Sequence, residues 1–554
     1  MFRESQDIQI TLDDRMLYIN DQTRKALDAS RAKLVGDIIY PNIDETKFSD
    51  LYSTTASRPN ILIRQYVSAL VLKRMYRMPD DVLIEFLRCG AMNFQYALHT
   101  TQEETQPLSE SSIRRFRRKL EAFNEEHGCD LVKEEFERIS KMLAVEMGVL
   151  HDDPNAGEDD VRPVIVRMDS MEIEAHAKVM PRIEILYMTN VLMIRYLLKK
   201  DFADMIPDEL SHYYEDGDHN KVMYYRVSDD KKAGVQDTRA AEIIQEMLLL
   251  QDAIVQNFTP AFLKNVPEYQ TFQRVMEEQT RLDDNGCRIP KDKTEISAES
   301  VQNPFNTTVT DRYKRGHHHG HVMNVAEAVD DDGNGIIIQA SVCPNTQTDS
   351  RMAEEYVEQL PDNGPVQTLS ADGAYNSDRL EELASKKNVT VQTTSLTGKA
   401  PDDIFGDFTL NSEGTEILYC PAGNSPVSCQ YNPKTGYVTG TMPENCCAAC
   451  PHRMSCKAKV NNKKKKSTVR VTGKMIARAI QARRFSTEEG KKNACRRNGV
   501  EGIMSVMRRK YDIDHIPVFS LDRLKVWIWT TLLSYNLVKY RKFKLSLEKS
   551  TSAA

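Results

Sequence analysis

The chain has 554 residues, 74 Lys and Arg against 81 Asp and Glu, a formal net charge of −7, and 40% apolar and 28% charged residues. At roughly 100–200 residues per domain this is several folding units, with enough apolar content to exclude wholesale disorder. The most apolar stretch, Val526 to Val538, is 13 residues long, against the about 20 that a spanning helix needs, and MFRESQDIQITLDD at the N-terminus has no apolar signal core. No membrane partner and a cytoplasmic location are expected.

In chain order, residues 1–57 are mixed in character. From Ile61 to His99 apolar residues recur at helical spacing, with Pro79-Asp80-Asp81 as a stop followed by a cap. Ser109 then caps a helix that carries Arg114, Arg115, Arg117, Arg118 and Lys119 around Ile113, Phe116 and Leu120. Helix, turn and basic helix fit a helix-turn-helix-like DNA reader; a solvated basic face is the plainer alternative. The polar stretch 151–162 reads as a linker.

Pro163 to Met168 is an apolar strand that ends in Asp169-Ser170, and Met171 to His176 alternates with period two. Helical patterns occupy residues 181 to about 282. His321–Val329 and Ile336–Val342 flank an Asp- and Gly-rich turn and form a hairpin. Residues 349–359 are helical. Val366–Ser370 is a strand that ends just before Asp372, Asp378–Ser385 is a helix, and Val389–Gln392 is a strand. Antiparallel strands followed by a β-α-β-α-β run predict a mixed α/β sheet with flanking helices. Helix returns from about Met475 to Lys510, and a last apolar helix is expected from Leu521 to Val538.

Charge is unevenly distributed. Residues 451–510 hold 19 Lys and Arg against 3 acids, a basic block on an otherwise acidic chain, which points to a polyanionic partner. Lys463, Lys464, Lys465 and Lys466 form a run suited to phosphate contact without sequence specificity.

Three carboxylates stand out. Asp169 and Asp372 each end an apolar strand, where ligands of open sheets gather. Glu501 is the only acid between Gly490 and Tyr511, among Arg496, Arg497, Arg508, Arg509 and Lys510. Arg497, Glu501 and Arg508 share one helix face. Such oxygen donors suit Mg²⁺, and two ions held about 3.5–4 Å apart can serve in-line phosphoryl transfer. Strand capping and local helix ion pairs are the structural alternatives. Asp330, Asp331 and Asp332 belong to the hairpin turn. Glu488 and Glu489 look like helix-start acids, and Glu172 and Glu174 like strand residues facing solvent. His317, His318, His319 and His321 lie among glycines, as in a loop that could touch phosphate.

Of 11 cysteines, six lie between Cys420 and Cys456. Cys447-Ala-Ala-Cys450 forms a knuckle. Cys420, Cys447, Cys450 and Cys456 make a four-thiolate set suited to one structural Zn²⁺, with Cys429, Cys446 and His452 as alternative fourth ligands. Reduced thiols without metal are the alternative.

The stretches RMDSMEIEAHAK, YKRGHHHGHVMNVAEAVDDDGNGIIIQASV, LSADGAYNSDRLEELA and NGVEGIMSVMRRKYDIDHIPV, with the N-terminal RPNILIRQYVSALVLKRMYRM and LSESSIRRFRRKL, resemble the DDE-class transposases of bacterial insertion sequences. The resemblance implies an all-α N-terminal domain, a ribonuclease-H-like catalytic core with a helical insertion, and a Cys-rich insertion. It divides the chain into an extension (1–57), a DNA-binding domain (58–150), the core (163–404, helical insert about 181–300), the Cys-rich insert (405–467) and the C-terminal part of the core (468–545). It implies that Asp169, Asp372 and Glu501 hold two Mg²⁺ or Mn²⁺ ions. It also implies cleavage of double-stranded DNA at terminal inverted repeats, strand transfer into target DNA, and work as a homo-oligomer on DNA. Arg114, Arg115, Arg117, Arg118, Lys119, the Lys463–Lys466 run, Arg497, Arg508 and Arg509 are the expected DNA contacts. A hydrolysis-only nuclease on the same core, a DNA-binding protein with an inactive site, and a zinc-stabilised RNA binder are the competing readings.

Overall fold

A computed structural model describes residues 1–4, 18–55, 58–100, 106–151, 164–225, 235–313, 316–362, 364–393, 401–443, 446–461 and 466–553. The expected linker at 151–162 falls almost entirely outside them, as do Lys463, Lys464 and Lys465.

The N-terminal half of the core is helical. Helix α1 (Ile63–Tyr76) is apolar nearly all round, so it is buried nearly all round. It stops where Arg77 turns left-handed at φ 55°. Helix α2 (Glu110–His127) opens on a capping box in which Ser109 and Ser112 satisfy each other's backbone N–H groups. It buries Ile113, Phe116 and Leu120 and leaves its cations outside. Helix α3 (Leu131–Glu146) is capped by Asp130. Short helices within residues 21–51 join the same core through Ala32, Val35, Ile39 and Phe48, all fully buried.

Five strands build the main sheet: β1 (Val164–Glu174), β2 (His317–Val329), β3 (Gly335–Pro344), β4 (Gln367–Ala371) and β5 (Val389–Thr393). Their order is β3-β2-β1-β4-β5, and a short strand Thr310–Tyr313 pairs with the start of β2. β2 is antiparallel to β1 and β3, while β1, β4 and β5 run parallel. A meander followed by two parallel crossovers is the ribonuclease-H-like arrangement. Strand β1 is central, and Val166 and Met168 are fully buried there.

Between β1 and β2 the chain leaves the sheet as a helical insertion. Helices α4 (Arg182–Lys199), α5 (Val235–Asn257) and α6 (Pro267–Gln279) pack around a separate core that includes Leu186, Met193, Ile243 and Phe272. Helix α7 (Asp349–Glu358) joins β3 to β4, and α8 (Asp378–Lys386) joins β4 to β5. The Cys-rich region forms a small sheet of β6 (Ser428–Asn432), β7 (Tyr437–Met442), β8 (Lys459–Asn461) and β9 (Lys466–Val471), in the order β6-β7-β9-β8. Its core of Val438, Val469, Phe405 and neighbours also buries Cys447 and Cys456.

The basic stretch expected as one helical run is two helices, α9 (Gly473–Ser486) and α10 (Glu488–Tyr511), because Thr487 leaves the helix and caps α10 at Gly490. The last helix, α11 (Leu521–Ala553), is 33 residues long and passes the expected end at Val538. The continuation KYRKFKLSLEKS has no Gly or Pro and is rich in helix formers, so helix persists after the apolar run stops. The apolar half of α11 lies against α1, α3 and β3. There the fully buried Asn536 donates to Ser140 Oγ (2.9 Å) and Ile337 O (2.8 Å) and accepts from Ile337 N (3.1 Å). No helix among the described residues is long and apolar enough to cross a membrane.

Helix α10 is docked on the sheet by one side chain. Arg167 of β1 is buried and forms an ion pair with Glu327 of β2, which has no exposure at all. Its Nη1 donates to the backbone O of Arg496 in α10 at 2.8 Å. Gly499 faces this guanidinium, and a Cβ there would collide with it. The substitution Gly499→Ala is therefore expected to push α10 away from β1 and to cost about 1–3 kcal/mol, the usual penalty for overpacking. Urea unfolding of Gly499→Ala beside Gly502→Ala, whose Cβ would meet open space, checks this: only the first should lower the midpoint.

Candidate active site

Asp169 and Asp372 are positioned by the sheet. β1 and β4 pair in parallel up to Arg167 opposite Ser370. Asp169 lies two residues beyond Arg167 and Asp372 two beyond Ser370, so the two stand at one level on adjacent strands. Across the other edge of β1, Asp169 pairs with Val325. Asp372 begins the turn Gly373–Tyr375, and its Oδ1 accepts from Gly373 N at 2.6 Å.

Glu501 comes from α10 and is joined to Asp169 through Arg497. The Arg497 guanidinium lies 3.1 Å from Asp169 Oδ2 and donates to Glu501 Oε1 at 3.0 Å. Arg497 is 12% exposed and Glu501 64%. Burial pushes the Asp169 carboxyl up, Arg497 opposes this, and the charges of Glu501 and Asp349 add to the rise. Among the described residues no three His, Cys, Asp or Glu side chains stand close enough together to hold a metal ion. The cation between Asp169 and Glu501 is the protein's own.

A fourth carboxylate borders this group. Asp349 opens α7 and accepts from Ser170 Oγ at 2.7 Å. In the sequence its only mark is a position after Thr348 at a helix start, which explains such an acid without any function. Tyr375 stands beside it, buried, donating to Asn324 Oδ1 at 2.9 Å. Burial and the charges of Asp349 and Asp169 hold the phenol protonated.

The rival acids have other partners. Asp330 caps its own turn at Asn334, and Asp331 pairs with Arg496. Glu488 is exposed and pairs with Lys491 at 2.7 Å. Glu489 lies 12 residues before Glu501, about 18 Å along the helix. Glu172 contacts His318 (3.4 Å), while His317 and His319 both approach Asp311. The His tract is thus the first part of β2 and not a loop.

The expected DNA-contacting cations divide. Arg117 is bound bidentately to Asp80 at 2.7 and 2.9 Å. Lys119 donates to Leu51 O and lies over the Tyr52 ring. Arg114, Arg115 and Arg118 are exposed, Lys466 is exposed at the start of β9, and Arg509 is exposed at the end of α10. Arg508 pairs with Asp514 at 3.3 Å, and Arg497 faces the carboxylates.

Cys420, Cys446, Cys447, Cys450, His452 and Cys456 line one small cavity. Cys447 feels the charges of Cys456, Cys420 and Cys450, and Cys456 those of Cys450 and Cys420. Burial pushes both thiols up. Cys429, Cys446 and Cys456 each contact a local oxygen, Ile417 O (3.8 Å), Asn424 Oδ1 (3.8 Å) and Arg453 O (3.7 Å), so these contacts do not distinguish among the candidates.

Residues 419–541, from the Cys-rich sheet through Glu501 to α11, match the family model described as "Transposase DDE domain". Residues 24–119, ending in α2, match "Transposase domain (DUF772)". No curated protein matches the chain. Among solved structures, a piggyBac transposase synaptic complex with hairpin DNA aligns with a TM-score of 0.29 and 8% identity over 97% of this chain and 78% of that one. A likeness that slight carries no argument. The two transposase matches, one towards each end of the chain, are the finding that decides: the chain carries a transposase DDE domain over residues 419–541 and a second transposase domain over residues 24–119.

Proposed function

We propose that Asp169, Asp372 and Glu501 form the catalytic carboxylate set of this transposase, and that the enzyme cuts DNA at the ends of its element and joins those ends to target DNA. The observation that carries this reading is the Arg497 bridge between Asp169 and Glu501, with Asp372 just past the end of the adjacent strand, two residues beyond the Arg167–Ser370 pair. An acid 332 positions away and on another element shares a cation with Asp169. Electrostatics favours a cation at that place.

The donor chemistry fits a hard divalent cation such as Mg²⁺ or Mn²⁺: every candidate ligand is a carboxylate oxygen. When bound, a pair of such ions supplies charge neutralisation for the attacking and leaving oxygens of an in-line displacement. The protein's own groups do the rest. The sheet fixes the two aspartates, and α10 brings Glu501 and leaves Arg509 exposed for phosphates. Asp349 holds Ser170 beside Asp169. In the first reaction water attacks phosphorus, the bond to the 3′ oxygen breaks, and a 3′-hydroxyl is left at the element end. In the second that hydroxyl attacks a target phosphorus and displaces the target's 3′ oxygen. Arg497 must release one of its carboxylates for all three to converge on one ligand. The exposed cations of α2 and Lys466, with the Lys463–Lys465 run, would contact the DNA backbone.

We propose that Cys420, Cys447, Cys450 and Cys456, which line one cavity without yet standing at ligand distance of one another, would close on one structural Zn²⁺. The small sheet around them has few buried apolar residues, which suits a domain closed by a metal.

Two outcomes are expected. On labelled DNA carrying the element's ends, Asp169→Asn, Asp372→Asn and Glu501→Gln should each lower Mg²⁺- or Mn²⁺-dependent cleavage by more than about 100-fold, the upper end of what loss of an outer-sphere partner costs. Gel-shift binding to the same ends should persist. Normal cleavage by Glu501→Gln would remove that residue from the set. Purified protein should contain one zinc per chain by elemental analysis, and Cys450→Ser should lose it. Because only the thiolate ligates and protons compete with the metal for it, zinc retention should weaken as pH falls.

A further inference from the structure

A cavity of about 370 Å³ that none of Asp169, Asp372 and Glu501 lines lies where α1, α2 and the start of α11 meet. Its walls carry Lys73 and Arg74 from α1, Arg114, Arg117 and Arg118 from α2, and Arg523 from α11. The negative charges nearby are too few. Asp80 serves both Lys73 (2.6 Å) and Arg117, Glu121 takes Arg523 (3.2 Å), and Asp522, on the same wall, lies 3.8 Å from Lys525. Arg74, Arg114 and Arg118 have no carboxylate partner among the described residues.

Arg74 is half-buried, with its guanidinium 4.8 Å from the centroid of the Trp527 ring. Burial and the neighbouring charge of Arg117 push it down to about 10. Trp527 is 8% exposed and lines the same cavity, and its indole N–H has no acceptor. A buried donor without an acceptor is costly, and so is a cluster of cations without counter-charge. Both costs are removed by one acceptor-rich anion in the cavity.

Its chemistry can be narrowed. A carboxylate is saturated by a single guanidinium fork, whereas three unpaired guanidiniums on two helices suit a phosphate with its several acceptor oxygens. Phosphate alone would leave most of the space empty. The rest of the wall is Leu70, Val518, Val526 and the indole, an apolar surface that suits a base and sugar. We propose that this cavity binds a nucleotide, either free or as one unit of a DNA strand, through Arg74, Arg114 and Arg118, against Trp527. For Arg114 and Arg118 this deepens the reading of α2 as a DNA-contacting helix, but it does not depend on the carboxylate assignment.

The test is a titration of the full-length protein, read by tryptophan fluorescence and calorimetry, with dAMP, deoxyadenosine, a single-stranded oligonucleotide and a duplex. The chain has two tryptophans, and Trp529 is already bonded to Asp130, so a signal lost in Trp527→Phe reports the cavity. Saturable binding is expected for dAMP or for DNA, with deoxyadenosine much weaker. Arg74→Gln should weaken that binding by about tenfold or more, the usual loss of a charged hydrogen bond. The double variant Arg114→Gln/Arg118→Gln, at exposed positions that leave the core intact, should do the same. Arg74-dependent binding of dAMP identifies a free nucleotide, and Arg74-dependent binding of DNA alone identifies a strand. Equal binding of deoxyadenosine and dAMP, or affinities unchanged in both variants, would overturn the proposal. Because Arg114 and Arg118 are also proposed DNA contacts, the carboxylate reading is separated by Asp372→Asn, which should abolish cleavage while leaving the Trp527 binding signal unchanged.

Discussion

The arrangement depends on one buried ion pair. Arg167 and Glu327 join neighbouring strands, and the same arginine holds the backbone of α10. Burying two charges is expensive unless they are paired and their remaining hydrogen-bonding groups are used. Here the third contact turns a pair into a joint between three elements. Asp169 is two residues from that joint on β1, and Glu501 is five residues from Arg496 on α10. Their relative position is inherited from Arg167, and Gly499 is the gap through which its guanidinium reaches the helix.

The two insertions keep clear of this joint. The helical insertion has its own core, and so does the Cys-rich sheet. Each leaves the main sheet at a strand or helix end, where added length disturbs no ladder and loop closure grows only slowly in cost. This is how carboxylates hundreds of residues apart in sequence belong to one sheet-and-helix unit.

Much of that unit could be read in the residues. Apolar runs that end in Asp located both strand-end carboxylates, and a single acid in a basic helix located Glu501. The parallel register that levels Asp169 with Asp372 was not legible, since period-two patterns carry no information on which strands pair. Nor was the contact from Arg497 to Asp169, made between elements 328 residues apart, because every arginine in that block looked alike. Asp349 was hidden for another reason: an acid after Thr at a helix start needs no further explanation. The His tract looked mobile because of its glycines, yet pairing with Thr310–Tyr313 makes it strand. The last helix outran its apolar stretch because helix propensity and burial are different signals, and only the first continues past Val538.

The seating of α11 has a consequence for synthesis. Asn536, Ser534 and Trp529 close the polar gaps of β3, α1 and α3, so those earlier elements lack that wall until α11 has been made. At about 5–20 residues per second, the ribosome needs roughly 20 s to somewhat over a minute to travel from α3 to α11. During that time the face of α1 that packs on α11 has no native partner. The N-terminal helices therefore cannot complete their packing in the order they emerge, and a chain released before α11 would leave apolar surface of those helices exposed. Synthesis of α11 is itself the step that finishes this core.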